Sequence, residues 1–389
     1  LNHDIQMKNG TKVFILIHGA QNMLPALCAI KSLNLQNSSL TIYMRQHSLS
    51  KERFSTQVSV VRNFFKGLNV DLISLTESEW ISFRKGNRSL TKNKKSKDGK
   101  NVFLYPHDLT SDTSQVIAKN TNSSINICYG DGYGLLINNV SKVRLSLRFD
   151  NLIATIKYIY RSLENRIPHR ITPDKFVAIL PVSQIQEIPL SMVELVIPEK
   201  LMVLEEVIRF HNENIDLESN FVDQITMGIE NNPTVLLLLE NFSECGFIDN
   251  ESELQLYKEA VTENVKLGSV INIKSHPWSN GVLAESLSRE LSNSYQIRTI
   301  HGEVENYPIE LWPIDFSRTD VISMSTPAIS LEYLFNKRVV QPLNMEKVIK
   351  YFKPEFFQIL KMQIELIDNP VANLSNWDMK SFLYVTHER

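Results

Sequence analysis

The chain has 389 residues, 43% of them hydrophobic and 22% charged, with a net charge of −2. That is the balance of a globular protein, and the length suffices for two domains with separate cores. No apolar run approaches the roughly 18 residues that cross a bilayer, and neither the polar Leu1–Gly10 stretch nor the short Val13–Ile17 run makes a secretory h-region.

The near-neutral charge hides an asymmetry. Residues 1–175 carry 25 Lys and Arg against 12 Asp and Glu, and the remainder carries 16 against 31. Two domains with different partners follow from such a split, and a basic first half points to a polyanion or an anionic surface.

In chain order, Lys12–Ile17 reads as a buried strand of a parallel sheet. The turn His18-Gly-Ala-Gln-Asn22 follows, and then a helix over Met23–Leu33 with Pro25 in its first turn. Strands are expected at Leu40–Met44, Val70–Leu75, Asn101–Tyr105 and Ile125–Tyr129. Helices are expected at Lys51–Leu68, around Trp80, at Thr110–Lys119 and at Phe149–Leu163. Strands alternating with helices at this spacing indicate a doubly wound α/β domain over residues 1–170. Residues 171–190 are proline-rich, weakly periodic and expected to link.

A second α/β pattern occupies residues 191–360. Helices are expected at Leu217–Ile229, Ser252–Leu267, Val282–Leu291 and Pro327–Phe335. The expected strands are Asn232–Leu239, Ser269–Lys274, Tyr295–Ile300, Val321–Met324 and Arg338–Gln341. From Lys347 the chain reads as helical with a break before Pro354, and residues 361–389 form a tail. Cys28, Cys128 and Cys245 are far apart and lie beside apolar residues, as buried reduced thiols of a cytoplasmic protein would.

Four short stretches could carry chemistry. Tyr129-Gly-Asp-Gly132 ends an apolar strand, so Asp131 sits on a turn beyond a strand's carboxyl end; an ordinary strand exit with a solvated Asp has the same pattern. Lys274-Ser-His-Pro277 also follows a strand, and Pro277 restrains His276, which can hold a phosphate and hand over a proton or simply be structural. Tyr307-Pro-Ile-Glu310 offers a carboxylate after a constrained turn, able to take both hydroxyls of a ribose, or merely one more surface charge. Ser325-Thr-Pro327 precedes a helix and makes either an anion site or a plain cap. No His/Cys/Asp grouping at ligand spacing, such as Asp-x-Asp, points to a metal.

Two α/β domains, a linker and a helical tail long enough to cross back follow the pattern of a GT-B glycosyltransferase, with two Rossmann-like domains facing a central cleft. The order Gly-Asp-Gly, Lys-x-His-Pro, Pro-x-Glu, Ser-Thr resembles the bacterial sialyltransferases. Tyr129-Gly-Asp-Gly132 and Ala20-Gln-Asn-Met-Leu-Pro25 look most like the capsule polysialyltransferases. One departure stands out: the family pattern has two acids before the glycine, whereas here Gly130 takes the first place.

The resemblance implies an inverting transfer of sialic acid from CMP-sialic acid to a hydroxyl of an acidic glycan, growing capsular polysialic acid without a cofactor. It implies that Asp131 takes the acceptor's proton and that His276, across the cleft, protonates the departing CMP. Ser325, Thr326 and Pro277 would lie at the donor phosphate, Glu310 at the ribose, Lys274 near the cytosine, and Ser243, on the turn after the Asn232–Leu239 strand, also beside the donor. Gln21, Asn22 and Gly132 would lie by the sialyl group or acceptor, with Arg144, Arg148 and Lys95 meeting the acceptor's carboxylates. CMP-Kdo, another 2-keto acid donor, suits the same motifs.

No nucleic-acid motif accompanies the basic residues. Anionic lipid at the inner face of the plasma membrane is a further option, with Tyr351–Leu366 as a surface helix. A GT-B-like nucleotide-sugar epimerase and a non-catalytic polyanion-binding protein are the alternatives.

Overall fold

A computed structural model describes residues 11–46, 50–84, 101–106, 112–131, 173–180, 194–213, 234–277, 279–302, 304–312, 319–325 and 327–368. Its packing divides into two units, with the boundary between Glu199 and Lys200.

The first unit is built on a parallel sheet of β1 (Lys12–Ile17), β2 (Ser39–Arg45), β3 (Val70–Leu75), β4 (Asn101–Pro106), β5 (Ile125–Gly130), β6 (Lys175–Ala178) and β7 (Glu194–Val196). Their spatial order is β3-β2-β1-β4-β5-β6-β7. The chain moves outward from β1 in one direction and then returns to fill the other side, the doubly wound arrangement expected. Helices α1 (Met23–Ser32), α2 (Lys51–Phe64), α3 (Glu77–Arg84) and α4 (Asp112–Thr121) make the crossovers. Every residue from Val13 to Ile17 is buried, because helices cover both faces of a parallel sheet. Ser50 caps α2 by accepting the Arg53 N–H at 3.2 Å.

The described part of the expected linker, residues 173–180, contributes a strand to this sheet. Lys175–Ala178 is buried at all four positions and pairs with β5, and β7 pairs with β6. Pro173 precedes this strand without unravelling it, since a proline removes a ladder donor only where it stands. The first domain therefore runs to Glu199 and not to residue 170.

The second unit opens with α5 (Lys200–Glu213), a helix that the sequence reading had not placed. Its sheet contains β8 (Thr234–Leu238), β9 (Val270–Lys274), β10 (Gln296–Thr299) and β11 (Thr319–Ser323), in the order β10-β9-β8-β11 and all parallel. Around it lie α6 (Asn250–Asn264), α7 (Val282–Leu291), α8 (Pro327–Phe335), α9 (Met345–Tyr351) and α10 (Phe357–Asp368). The strand expected at Arg338–Gln341 reduces to one bridge between Val340 and Ile322.

Helix α10 starts after the break at Pro354. Its Leu360 and Ile364 are buried in the second unit's core with Leu256, Met324 and Phe352. The Tyr351 hydroxyl donates to Glu259 at 2.5 Å. The apolar side of the expected lipid-surface helix is thus used for packing. Among the described residues no helix is long and apolar enough to cross a membrane. Cys28 and Cys128 are buried as expected, but Cys245 is exposed, in the turn that follows β8. The helices expected at Phe149–Leu163 and Leu217–Ile229, the Lys-rich stretch containing Lys95, and the tail beyond Asp368 lie outside the described residues.

Helix α6 supplies a test of these assignments. Asp249 caps it, accepting the Ser252 N–H at 2.8 Å and the Ser252 hydroxyl at 2.8 Å. Asp249→Ala is expected to lower unfolding free energy by about 1 kcal/mol, read as a shifted urea midpoint at unchanged slope. An unshifted midpoint would discount the cap.

Candidate active site

In the second unit, strand order reverses beside β8. The chain runs from β8 to β9 and β10 on one side, then places β11 on the other. In open α/β sheets the crevice beyond the carboxyl ends of the strands at such a reversal is where ligands bind.

The register decides which residues meet there. Leu238 of β8 lies opposite Lys274 of β9 and Ser323 of β11. Residues opposite one another share a face of the sheet, and so do residues two apart. Leu237, Leu239 and Ile273 point into the core, so the opposite face carries Lys274, Leu238 and Ser323. Two residues further on, where the strands have ended, come His276, Glu240 and Ser325. The Ser325 N–H donates to Ser323 Oγ at 3.3 Å, and Ser325 is itself buried just before α8.

Lys274 is only 6% exposed. Its ammonium donates to the Glu305 carbonyl at 2.8 Å and lies 5.5 Å from the centre of the Trp312 ring. Burial pulls its pKa down to about 8, against the opposing pull of Glu305, Glu310 and Glu240. Glu310 sits in the short turn Ile309–Leu311 and accepts the Ser330 hydroxyl, so α8 helps to hold it.

Half-buried His276 is driven down to about 4, first by burial and then by the Lys274 cation. Its backbone carbonyl accepts the Ser279 N–H at 2.9 Å. The Ser279 hydroxyl and the Asn280 N–H both donate to Glu244 Oε1, at 2.8 and 2.9 Å. The turn that carries His276 is therefore tied to the turn after β8.

The turn after β8 contains a residue that the motifs had not flagged. The Glu240 N–H donates to the Tyr257 hydroxyl at 2.7 Å. Burial raises the Glu240 carboxyl to about 7, with Glu253 adding to the shift and Ser325 and Lys274 opposing it. Glu253, only 1% exposed, takes the Phe242 and Ser243 N–H groups at 3.0 Å each. Ser243, expected beside the donor, has its N–H directed at Glu253. Position was the available signal for Glu240, the first polar residue after the five apolar residues Val235–Leu239.

In the first unit, Asp131 follows β5 directly, and its carbonyl accepts the Leu180 N–H at 3.2 Å. Buried Tyr129 sends its hydroxyl to the Leu16 carbonyl at 2.5 Å, tying the end of β5 to the end of β1. Asn22 is buried, and its Oδ1 accepts the His18 N–H at 3.1 Å, which makes it the lock of the turn after β1. Gln21 beside it is exposed. Arg45, at the end of β2, lies 4.5 Å above the Trp80 ring and donates to Thr113 at 3.0 Å and to Glu77 at 3.2 Å. Pro277 follows His276 as expected, whereas Thr326, Gly132, Arg144, Arg148 and Lys95 lie outside the described residues. Among the described residues no group of three or more His, Cys, Asp or Glu side chains could hold a metal ion.

A family model described as alpha-2,8-polysialyltransferase matches residues 89–343, more than half of the chain. No curated protein matches the sequence. Among solved structures, UDP-GlcNAc 2-epimerase from Neisseria meningitidis bound to UDP-GlcNAc is similar at a TM-score of 0.50 and 12% identity, over 94% of this chain and 98% of that one. UDP-GlcNAc 2-epimerase from Methanocaldococcus jannaschii, in complex with UDP-GlcNAc and UDP, is similar at 0.50 and 14%, over 92% and 99%. At these identities the likeness is one of fold, the GT-B-like pairing of two α/β units.

The depressed His276 pKa has a defined sign. An unfolded chain takes up the imidazole proton near 6.5 and the folded chain only near 4. The stability contributed by neutral His276 is therefore complete above about pH 6.5 and is lost as the pH falls toward 4. The His276 ring resonances, followed by NMR, are expected to remain those of a neutral imidazole at pH 6. A midpoint near 6.5 would show that the ring is solvated and would remove the burial argument.

Proposed function

Because the chain belongs to the alpha-2,8-polysialyltransferase family, and is thus a sialyltransferase of GT-B-like fold, we propose that its second unit binds CMP-sialic acid and that the sialyl group passes to a hydroxyl of an acidic glycan with inversion. The observation that carries this reading is the family match itself: it spans residues 89–343 and so takes in Asp131, His276, Glu310 and Ser325.

The donor end has physical support. A departing CMP needs its developing charge met by donors and a proton. Ser325 lies just before a nine-residue helix that starts with Pro327, whose positive dipole end favours an anion nearby. Lys274 supplies a buried cation close by, and Glu310 a carboxylate fixed by Ser330. A neutral His276 is a hydrogen-bond donor and acceptor, not yet an acid. An arriving phosphodiester brings the negative charge that pulls its pKa upward, so that it becomes protonated beside the group it must serve.

In the reaction, the acceptor oxygen attacks C2 of the sialyl group as the bond from C2 to the phosphate oxygen breaks. Asp131 takes the acceptor's proton, and the phosphate leaves with the proton from His276. No metal or cofactor has a part in this scheme. The excess of Lys and Arg in residues 1–175 supports an acceptor with repeated carboxylates.

His276→Ala and Asp131→Ala are each expected to lower kcat for transfer from CMP-sialic acid at least ~100-fold, the range of a lost acid or base. The Asp131 variant should keep the thermal stabilisation that CMP gives. Undiminished transfer by both variants, or stabilisation by UDP in preference to CMP, would refute the reading.

A further inference from the structure

The acid of this scheme is carried by a turn, and one carboxylate outside the motifs holds that turn. His276 lies two residues beyond β9, and α7 begins six residues later. On the strand side the ladder fixes Lys274, whose carbonyl accepts the Leu239 N–H at 2.9 Å. On the helix side the His276 carbonyl accepts the Ser279 N–H at 2.9 Å. Ser279 is buried, and its hydroxyl donates to Glu244 Oε1 at 2.8 Å. The Asn280 N–H donates to the same oxygen at 2.9 Å. We propose that Glu244 is a positioning residue for His276: its carboxylate fixes Ser279 and Asn280, and these fix the direction in which the imidazole meets the departing phosphate.

A support must itself be held. Glu244 stands in the turn after β8, which is fastened from two directions. Buried Glu253, on α6, takes the N–H groups of the two residues before Glu244, at 3.0 Å each. Lys353, beyond α9, donates its ammonium to the Gly246 carbonyl at 2.7 Å and its N–H to the Phe247 carbonyl at 3.0 Å. The Phe247 ring stacks on Phe356, with centroids 4.1 Å apart. Glu244 thus reaches out from a turn whose backbone is tied on both sides of it.

This role rests on the reading that His276 protonates the departing CMP. An imidazole passes its proton along its N–H, and a hydrogen bond weakens steeply once that line is missed. Pro277 restrains the backbone beside His276 but has no N–H of its own with which to anchor the turn. Ser279 and Asn280 supply an anchor through Glu244. One carboxylate oxygen that accepts both an O–H and a backbone N–H constrains direction as well as distance, and its charge strengthens both bonds. Glu244 is itself exposed, so truncating it opens no cavity in the core. What its loss releases is the turn.

The test is steady-state transfer from CMP-sialic acid by the full chain, its Glu244→Ala and Glu244→Gln variants, and the same changes made in His276→Ala. Glu244→Ala is expected to lower kcat about 10-fold through lost alignment. The donor KM should stay within about 3-fold, the split that marks an interaction needed only in the transition state. Glu244→Gln keeps an oxygen that can accept both hydrogens and should recover most of the loss. In the His276→Ala background, Glu244→Ala should cost less than about 2-fold more, because the group it positions is gone. If Glu244→Ala fails to fold, Ser279→Ala, which removes one of the two hydrogen bonds, carries the same comparison. An equal loss with and without His276, a Gln variant as slow as the Ala variant, or an unchanged kcat would each overturn the role of Glu244 while leaving the donor reading intact. Absence of transfer by wild type would overturn the donor reading and this role with it.

Discussion

The site depends on where a parallel sheet leaves a gap. In such a sheet every strand delivers its carboxyl end to the same edge, and crossover helices normally cover what lies beyond. Beside β8 the chain departs in both directions, so the segments leaving β8 and β11 diverge. Side chains placed just past those ends are lifted out of the ladder without being returned to bulk water. Glu240, His276 and Ser325 occupy such positions, and Lys274 closes the row on β9.

Desolvation then decides their chemistry. Moving a charge out of water costs more than a single neighbour restores, so each group shifts toward its neutral form. His276 and Lys274 fall, while Glu240 rises. Lys274 and Glu240 partly compensate each other, which keeps both within reach of neutrality. An anionic ligand changes the balance for all three in the same sense, favouring protonation. The second unit thus offers a set of nearly neutral groups that an anion can charge.

The loops that carry these groups are held from behind by buried polar contacts. Glu253 takes two backbone N–H groups of the turn after β8, and Glu244 ties that turn to the one carrying His276. Tyr129 does the corresponding work in the first unit, binding the end of β5 to β1 immediately before Asp131. A carboxylate that satisfies backbone donors in a turn fixes side-chain positions more firmly than an apolar contact, because hydrogen bonds constrain direction as well as distance.

Much of this could be read along the chain. Continuous apolar runs such as Val13–Ile17 and Val235–Leu239 announced buried parallel strands, and the residues just after β5 and β9 announced the positions of Asp131 and His276. Helix α5 was also legible, since Val203, Val207 and Phe210 repeat at helical spacing and are buried. The prolines around 173–181 misled because they mark an interruption without saying whether a strand lies between them. What the sequence determined by itself was local: period, strand ends, and the residue types that can exchange protons. Tertiary structure alone decided the order β10-β9-β8-β11, and with it that Glu240, His276 and Ser325, far apart in the chain, each stand two residues beyond register partners at neighbouring strand ends. Pairing between distant strands is set by how whole faces pack, and no single stretch of sequence contains that information.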